Sequence, residues 1–226
     1  PGSARSSAIG FSVGSKGYLG TGVDQFGWNV DVYEYDPSTN SWTQKADFPG
    51  TNRSDAVGFS IGSKGYVGTG FGSGNCYNDF YEYDPATDTW TQKADLPAII
   101  RRHAVGFSIG TKGYLGTGFD CGGGPSSYSD FYEYDPSNNT WTQKASLTGG
   151  RNLAFAFSIG TKGYIGTGVV AVGPTYYSDC WQFDPISNSW SSQPNFTGTA
   201  RRGSSAFVIG SKAYVGTGTD DNGPFN

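Results

Sequence analysis

Long apolar runs are missing from this sequence. No stretch approaches the ~20 apolar residues that a membrane-crossing helix requires, so direct insertion of such a helix into a bilayer is not expected. Basic residues are few: 15 Lys and Arg stand against 19 Asp and Glu, for a formal net charge of −4. Nucleic acid calls for a basic face, so it is not the expected partner. There is one histidine, His103, and there are three cysteines, Cys76, Cys121 and Cys180. With so few His and Cys, no metal cluster and no cofactor is expected; Asp120 and Asp220-Asp221-Asn222-Gly223 offer oxygen ligands for Ca²⁺, but an acidic turn alone is weak evidence. Nucleophile motifs and phosphate loops are absent too. Helical periodicity occurs nowhere along the chain.

Glycine and aromatic residues are abundant instead. Glycine accounts for 36 of 226 residues and Phe, Trp and Tyr together for 16%. That mix suits many short strands joined by tight turns, with rings supplying most of the buried apolar area. The chain also repeats itself. GFSVGSKGYLGTG at Gly10–Gly22 returns at Gly58–Gly70, Gly106–Gly118, Ala156–Gly168 and Ala206–Gly218. Its phenylalanines, Phe11, Phe59, Phe107, Phe157 and Phe207, are spaced 48, 48, 50 and 50 residues apart. A period near 50 with strand-type content points to a propeller or solenoid. One domain over 1–226 is expected, with repeats at about 5–52, 53–100, 101–150, 151–200 and a partial one at 201–226.

One repeat reads as four strands. Ala56–Ile61 alternates large and small: Val57, Phe59 and Ile61 on one face, Ala56, Gly58 and Ser60 on the other. Both faces are expected to be buried, the large side chains of one repeat fitting beside the small ones of the next. Gly62-Ser63-Lys64-Gly65 forms a hairpin turn. Gly65–Gly70 is a second strand and Asp79–Asp84 a third. Asp84-Pro85 opens a turn, and Thr89–Lys93, with Trp90, is the fourth strand.

This pattern resembles the kelch repeat. A tyrosine strand ends in glycines, an aromatic strand ends in Asp-Pro, and a Trp follows six residues after that Asp. Here the paired glycines are written Gly-Thr-Gly, as at Gly68–Gly70, and the Trp position holds Trp42, Trp90, Trp141 and Trp190. The resemblance implies an all-β propeller of four-stranded antiparallel blades around a central channel. Four blades are complete in this chain and a fifth is half built, as part of an expected total of five to seven. The Gly-Thr-Gly form resembles secreted bacterial repeats, which implies an extracellular or bacterial cell-surface location. Galactose oxidase, an enzyme of this type, uses a copper site with two histidines. One histidine cannot assemble it.

In such a propeller the loop between second and third strands, and the connection between blades, lie on one face, here called the mouth. These loops vary in length, and variable loops on a rigid scaffold carry function. Arg5, Arg53, Arg101, Arg151 and Arg201 recur there, as do Asp31, Asp79, Asp130 and Asp179. Either the arginines form a ring that captures anions, or they pair with the aspartates as part of the scaffold. Pairing is the favoured reading, because a ligand seldom needs the same group from every blade. Residues that break the repeat are the better binding candidates: Arg102, His103 and Arg202, with Trp28, Tyr77, Tyr128, Tyr176 and Tyr177 on mouth loops. Exposed aromatics beside Arg suit protein hot spots or sugar stacking. Packing against neighbouring blades is the competing reading.

The expected function is a non-catalytic module that binds a protein partner or serves as a scaffold at the cell envelope. No catalytic residue is assigned. The alternative is a glycan-binding or sialic-acid-processing propeller, since sialic-acid mutarotases are kelch propellers as well. Cys76 and Cys121 lie in corresponding loops of consecutive repeats and are candidates for a disulfide, with Cys180 a buried free thiol. Three free thiols is the other reading.

Overall fold

The computed structural model describes residues 2–122 and 127–225, and among them there is no helix. The chain folds as four-stranded antiparallel sheets, each joining consecutive strands in sequence order. The first comprises Ile9–Val13, Lys16–Gly20, Val32–Asp36 and Ser41–Lys45. The second comprises Val57–Ile61, Lys64–Gly68, Phe80–Asp84 and Thr89–Gln92. A third spans Val105–Ile109 to Thr140–Lys144 and a fourth Phe155–Ile159 to Ser189–Gln193. Ser205–Ile209 and Lys212–Gly216 form a final two-stranded sheet. The first strands of successive sheets lie side by side. Together they surround a cavity of about 380 Å³ lined by small residues such as Ala8, Gly10, Ala56, Gly58, Ala104 and Gly106. This is a β-propeller: four blades and half of a fifth around a channel.

Blades stack by knobs and slots. Phe59 lies over the slot that Gly106 and Gly113 leave in the next blade. A methyl group at Gly113 would sit 2.7 Å from the Phe59 ring and 3.1 Å from Ile61 Cδ1. Phe59, Phe80 and Tyr66 are all buried and join Leu115 and Tyr134 of the next blade in one apolar cluster. Tryptophan ties the outer strands together. Trp90 Nε1 donates to the Ala46 carbonyl at 3.0 Å, Trp141 to Ala94 at 2.8 Å and Trp190 to Ala145 at 2.8 Å, each reaching back one blade. On the half-built blade Phe207 and Ile209 are 57% and 63% exposed. They occupy the positions that the second and third blades bury against their successors.

The mouth loops carry structure that strand periodicity does not reveal. Most fold into two-residue hairpins: Val23–Asp24 with Gly27–Trp28, Phe71–Gly72 with Asn75–Cys76, and Val169–Val170 with Thr175–Tyr176. In the third blade Phe119–Asp120 pairs instead with Arg101–Arg102 of the preceding connection.

Candidate functional site

The repeated arginines are consumed by the scaffold. Arg101 donates to Asp130 Oδ1 and Oδ2 at 2.5 and 2.6 Å and to the Thr117 carbonyl at 2.8 Å. Arg151 forks onto Asp179 at 2.5 and 2.8 Å, and Arg53 and Arg5 do the same with Asp79 and Asp31. The Arg53, Arg101 and Arg151 residues are 0% exposed. Arg201 is held by the Thr199 and Thr217 carbonyls.

Three of the predicted mouth aromatics pack on these scaffold arginines. The Arg53 guanidinium lies 4.2 Å from the Tyr77 ring centroid, Arg101 lies 4.6 Å from Tyr128, and Arg151 lies 4.2 Å from Tyr177. Each ring caps a paired arginine, a placement that gains from cation–π attraction. Counting backwards shows why. Tyr77, Tyr128 and Tyr177 each precede the pairing Asp by two residues, so they keep the period despite unequal loops. Trp28 is half-buried, edge-on to Phe71 at 6.0 Å. Tyr176 donates to Asp221, and its ring centroid is 5.9 Å from the Arg202 guanidinium.

The three period-breaking residues come together. Arg102, His103 and Arg202 line one cleft of about 200 Å³, walled by Phe119, Leu153 and Val169 among others. Among the described residues neither Arg102 nor Arg202 has a carboxylate within ion-pair distance, unlike four of the five scaffold arginines. Arg102 is held by rings alone. Its guanidinium lies 4.8 Å from the Phe71 centroid and 5.5 Å from that of Phe119, and its buried Nε has no partner. A buried donor left unpaired costs free energy that an incoming acceptor would recover.

His103 stands between this cleft and the channel mouth, where a second cavity of about 220 Å³ includes Asp55 and His103. His103 Nε2 is 3.1 Å from Asp55 Oδ1. Burial works against the Asp55 carboxylate, yet hydrogen bonds from His103, Ser7 and Ser54 hold its pKa below the ordinary value. A backbone ladder fixes these positions: Asp55 N–H donates to the Ser7 carbonyl, His103 to Asp55, Leu153 to His103 and Gly203 to Leu153. All five residues take positive φ, between 53° and 65°. The belt therefore sets one residue per blade at the mouth.

Cys76 and Cys121 form a disulfide with Cα atoms 5.7 Å apart. Cys180 is a free thiol, half-buried where burial was expected. The difference follows from the blade beyond it: Phe131, at the same position, is covered by Phe183 and Trp190 of the next blade, whereas among the described residues the fifth blade has only two strands of its four. Burial, then the charge of Asp179, pushes its pKa up to about 11. At pH 8 its thiolate is scarce, and iodoacetamide should modify it roughly a hundredfold more slowly than a free cysteine. Timed alkylation with mass spectrometry checks this. A rate equal to that of free cysteine would contradict it.

Four-stranded meanders around a channel, tied blade to blade by Trp and capped by Arg–Asp forks, make this chain a kelch-type β-propeller. Residues 65–97 match the family model described as the Kelch motif. The chain is also similar to the solved structure of YjhT, with a TM-score of 0.79 at 20% sequence identity over 95% of this chain and 72% of that one. At that identity the likeness is one of fold. No curated protein matches the sequence.

Proposed function

We propose that this propeller is a non-catalytic binding module, and that its mouth cleft takes a carboxylate beside an apolar group on a protein partner. One observation carries the reading: two arginines without carboxylate partners among the described residues flank a single cleft with Phe119, Leu153 and Val169 in its walls. Arg donates bidentately to carboxylates, and Phe119, Leu153 and Val169 would cover a neighbouring side chain. A chain terminus ending in an apolar residue has this chemistry. The disulfide supports an oxidising location, outside the cell or on its surface.

Titration calorimetry with N-acetyl-leucine and its amide tests this. The acid should bind and the amide should not. Arg102→Ala and Arg202→Ala should each weaken binding by about tenfold or more. Equal binding of acid and amide, or unchanged affinity in both variants, would discard the reading. His103, which lines this cleft and bonds Asp55 in the adjoining cavity, favours one alternative, an acidic sugar. Saturable binding of N-acetylneuraminate with no binding of N-acetyl-leucine would select it.

A further inference from the structure

The Cys76–Cys121 disulfide lies where it can control Arg102. Cys76 pairs directly across its hairpin from Phe71. Cys121 follows Phe119–Asp120, the strand that pairs with Arg101–Arg102. The bond therefore links the segment bearing Phe71 to the segment bearing Phe119, across two blades. These are the two rings against the Arg102 guanidinium. No ion pair or side-chain hydrogen bond holds that guanidinium among the described residues, so the ring spacing determines where it points.

Corresponding positions in other blades show what the cysteine replaces. Trp28, Cys76 and Tyr176 all sit opposite the first residue of their hairpins. Trp28 reaches Phe71 in the next blade, and Tyr176 reaches Asp221 and Arg202 in the next blade. At this position the chain bridges to the following mouth loop by a large ring. A cysteine is too small to do so by packing, and here the bridge is covalent.

We propose that the Cys76–Cys121 disulfide is the positioning element of Arg102, so that the cleft reaches its binding form only in the oxidised protein. The proposal rests on the reading of the cleft given above and adds its regulation. Cys76 is buried and Cys121 is half-exposed, so a reductant enters at Cys121. A dithiol such as dithiothreitol supplies both electrons. Its thiolate attacks Cys121 Sγ, the S–S bond breaks, and Cys76 leaves as a thiolate and takes a proton. The second thiol of the reagent then displaces Cys121, which is protonated in turn, and the reagent departs as a cyclic disulfide. Phe71 and Phe119 are then joined by backbone bonds alone, through Arg101, which pairs with Gly70 and Tyr77 on one side and with Asp120 on the other. Arg102 loses its fixed sandwich.

Phenylglyoxal labelling of the full chain tests this without any ligand. Adducts at Arg102 and Arg202 are counted by peptide mass spectrometry in oxidised protein, in dithiothreitol-treated protein, and in Cys76→Ala/Cys121→Ala. The Arg102 rate should rise about fivefold or more in the last two, as its ring contacts loosen, while the Arg202 rate stays unchanged. Affinity for N-acetyl-leucine should fall with it. Unchanged Arg102 labelling in protein whose three thiols all titrate would overturn the proposal. So would a simultaneous rise at Arg53, Arg101 and Arg151, which would show a bond that only holds the fold together. If the double variant fails to fold, the dithiothreitol arm still decides. Should oxidised protein bind no N-acetyl-leucine, the carboxylate reading fails, and the labelling contrast still judges the disulfide.

Discussion

Replacing Arg101 by alanine is expected to remove roughly 3 kcal/mol of folding stability, the cost of emptying a fully buried guanidinium site and leaving the partly buried Asp130 carboxylate without its partner. Arg101 is 0% exposed and donates to both oxygens of Asp130, to the Thr117 carbonyl at 2.8 Å and to the Ile99 carbonyl at 3.0 Å. Its removal strands a carboxylate and two carbonyls at the junction of a blade connection with the third strand. Lysine should not restore the loss. An ammonium is a point charge and cannot fork onto a carboxylate while also reaching two carbonyls. Urea unfolding of Arg101→Ala, Arg101→Lys and Arg102→Ala supplies the comparison. The adjacent Arg102 is half-exposed and makes no ion pair among the described residues, so its loss should cost within about 1 kcal/mol. Equal costs at 101 and 102 would show that the scaffold and binding roles have been assigned to the wrong residues.

That contrast also marks where the sequence could be read and where it could not. The strands were legible because Gly, Asn and Asp-Pro punctuate every repeat and each strand is only about five residues long. The fourth strand of the second blade, read as Thr89–Lys93, spans Thr89–Gln92. The large and small faces of Val57–Ile61 were legible from period-two alternation. Pairing of the periodic arginines and aspartates could be argued from recurrence alone. The two-residue hairpins of the mouth could not, because two residues carry no periodicity. The capping role of Tyr77, Tyr128 and Tyr177 was hidden by counting forward through loops of unequal length. The sandwich on Arg102 left a faint trace. Val23, Phe71, Phe119, Val169 and Thr219 occupy one repeat position, and only the two blades that flank Arg102 hold phenylalanine there.

Phe59→Ala is the second substitution with a large expected effect, about 3–5 kcal/mol for a buried phenylalanine whose site cannot collapse. Phe59 is 6% exposed, stacks on Tyr66 at 6.0 Å and meets Phe80 at a tilt at 6.0 Å. Its far edge lies over Gly106 and Gly113 of the next blade, where no side chain could move in to fill the space. The fourth blade provides an internal control. Phe157 is the counterpart of Phe59, but the positions of Gly106 and Gly113 are filled in the fifth blade by Ala206 and Ala213. Phe157 is only half-buried, so Phe157→Ala should cost clearly less. A converse experiment addresses the slot itself. Gly113→Ala places a methyl group against the Phe59 ring, an overpacking worth roughly 1–3 kcal/mol. Adding Phe59→Leu shortens the knob where the slot has narrowed, so the double variant should be more stable than the two single losses predict. Chemical denaturation of the four proteins in that cycle measures the coupling. Strict additivity, or equal costs for Phe59→Ala and Phe157→Ala, would mean that the glycine slots do not set the depth of blade packing.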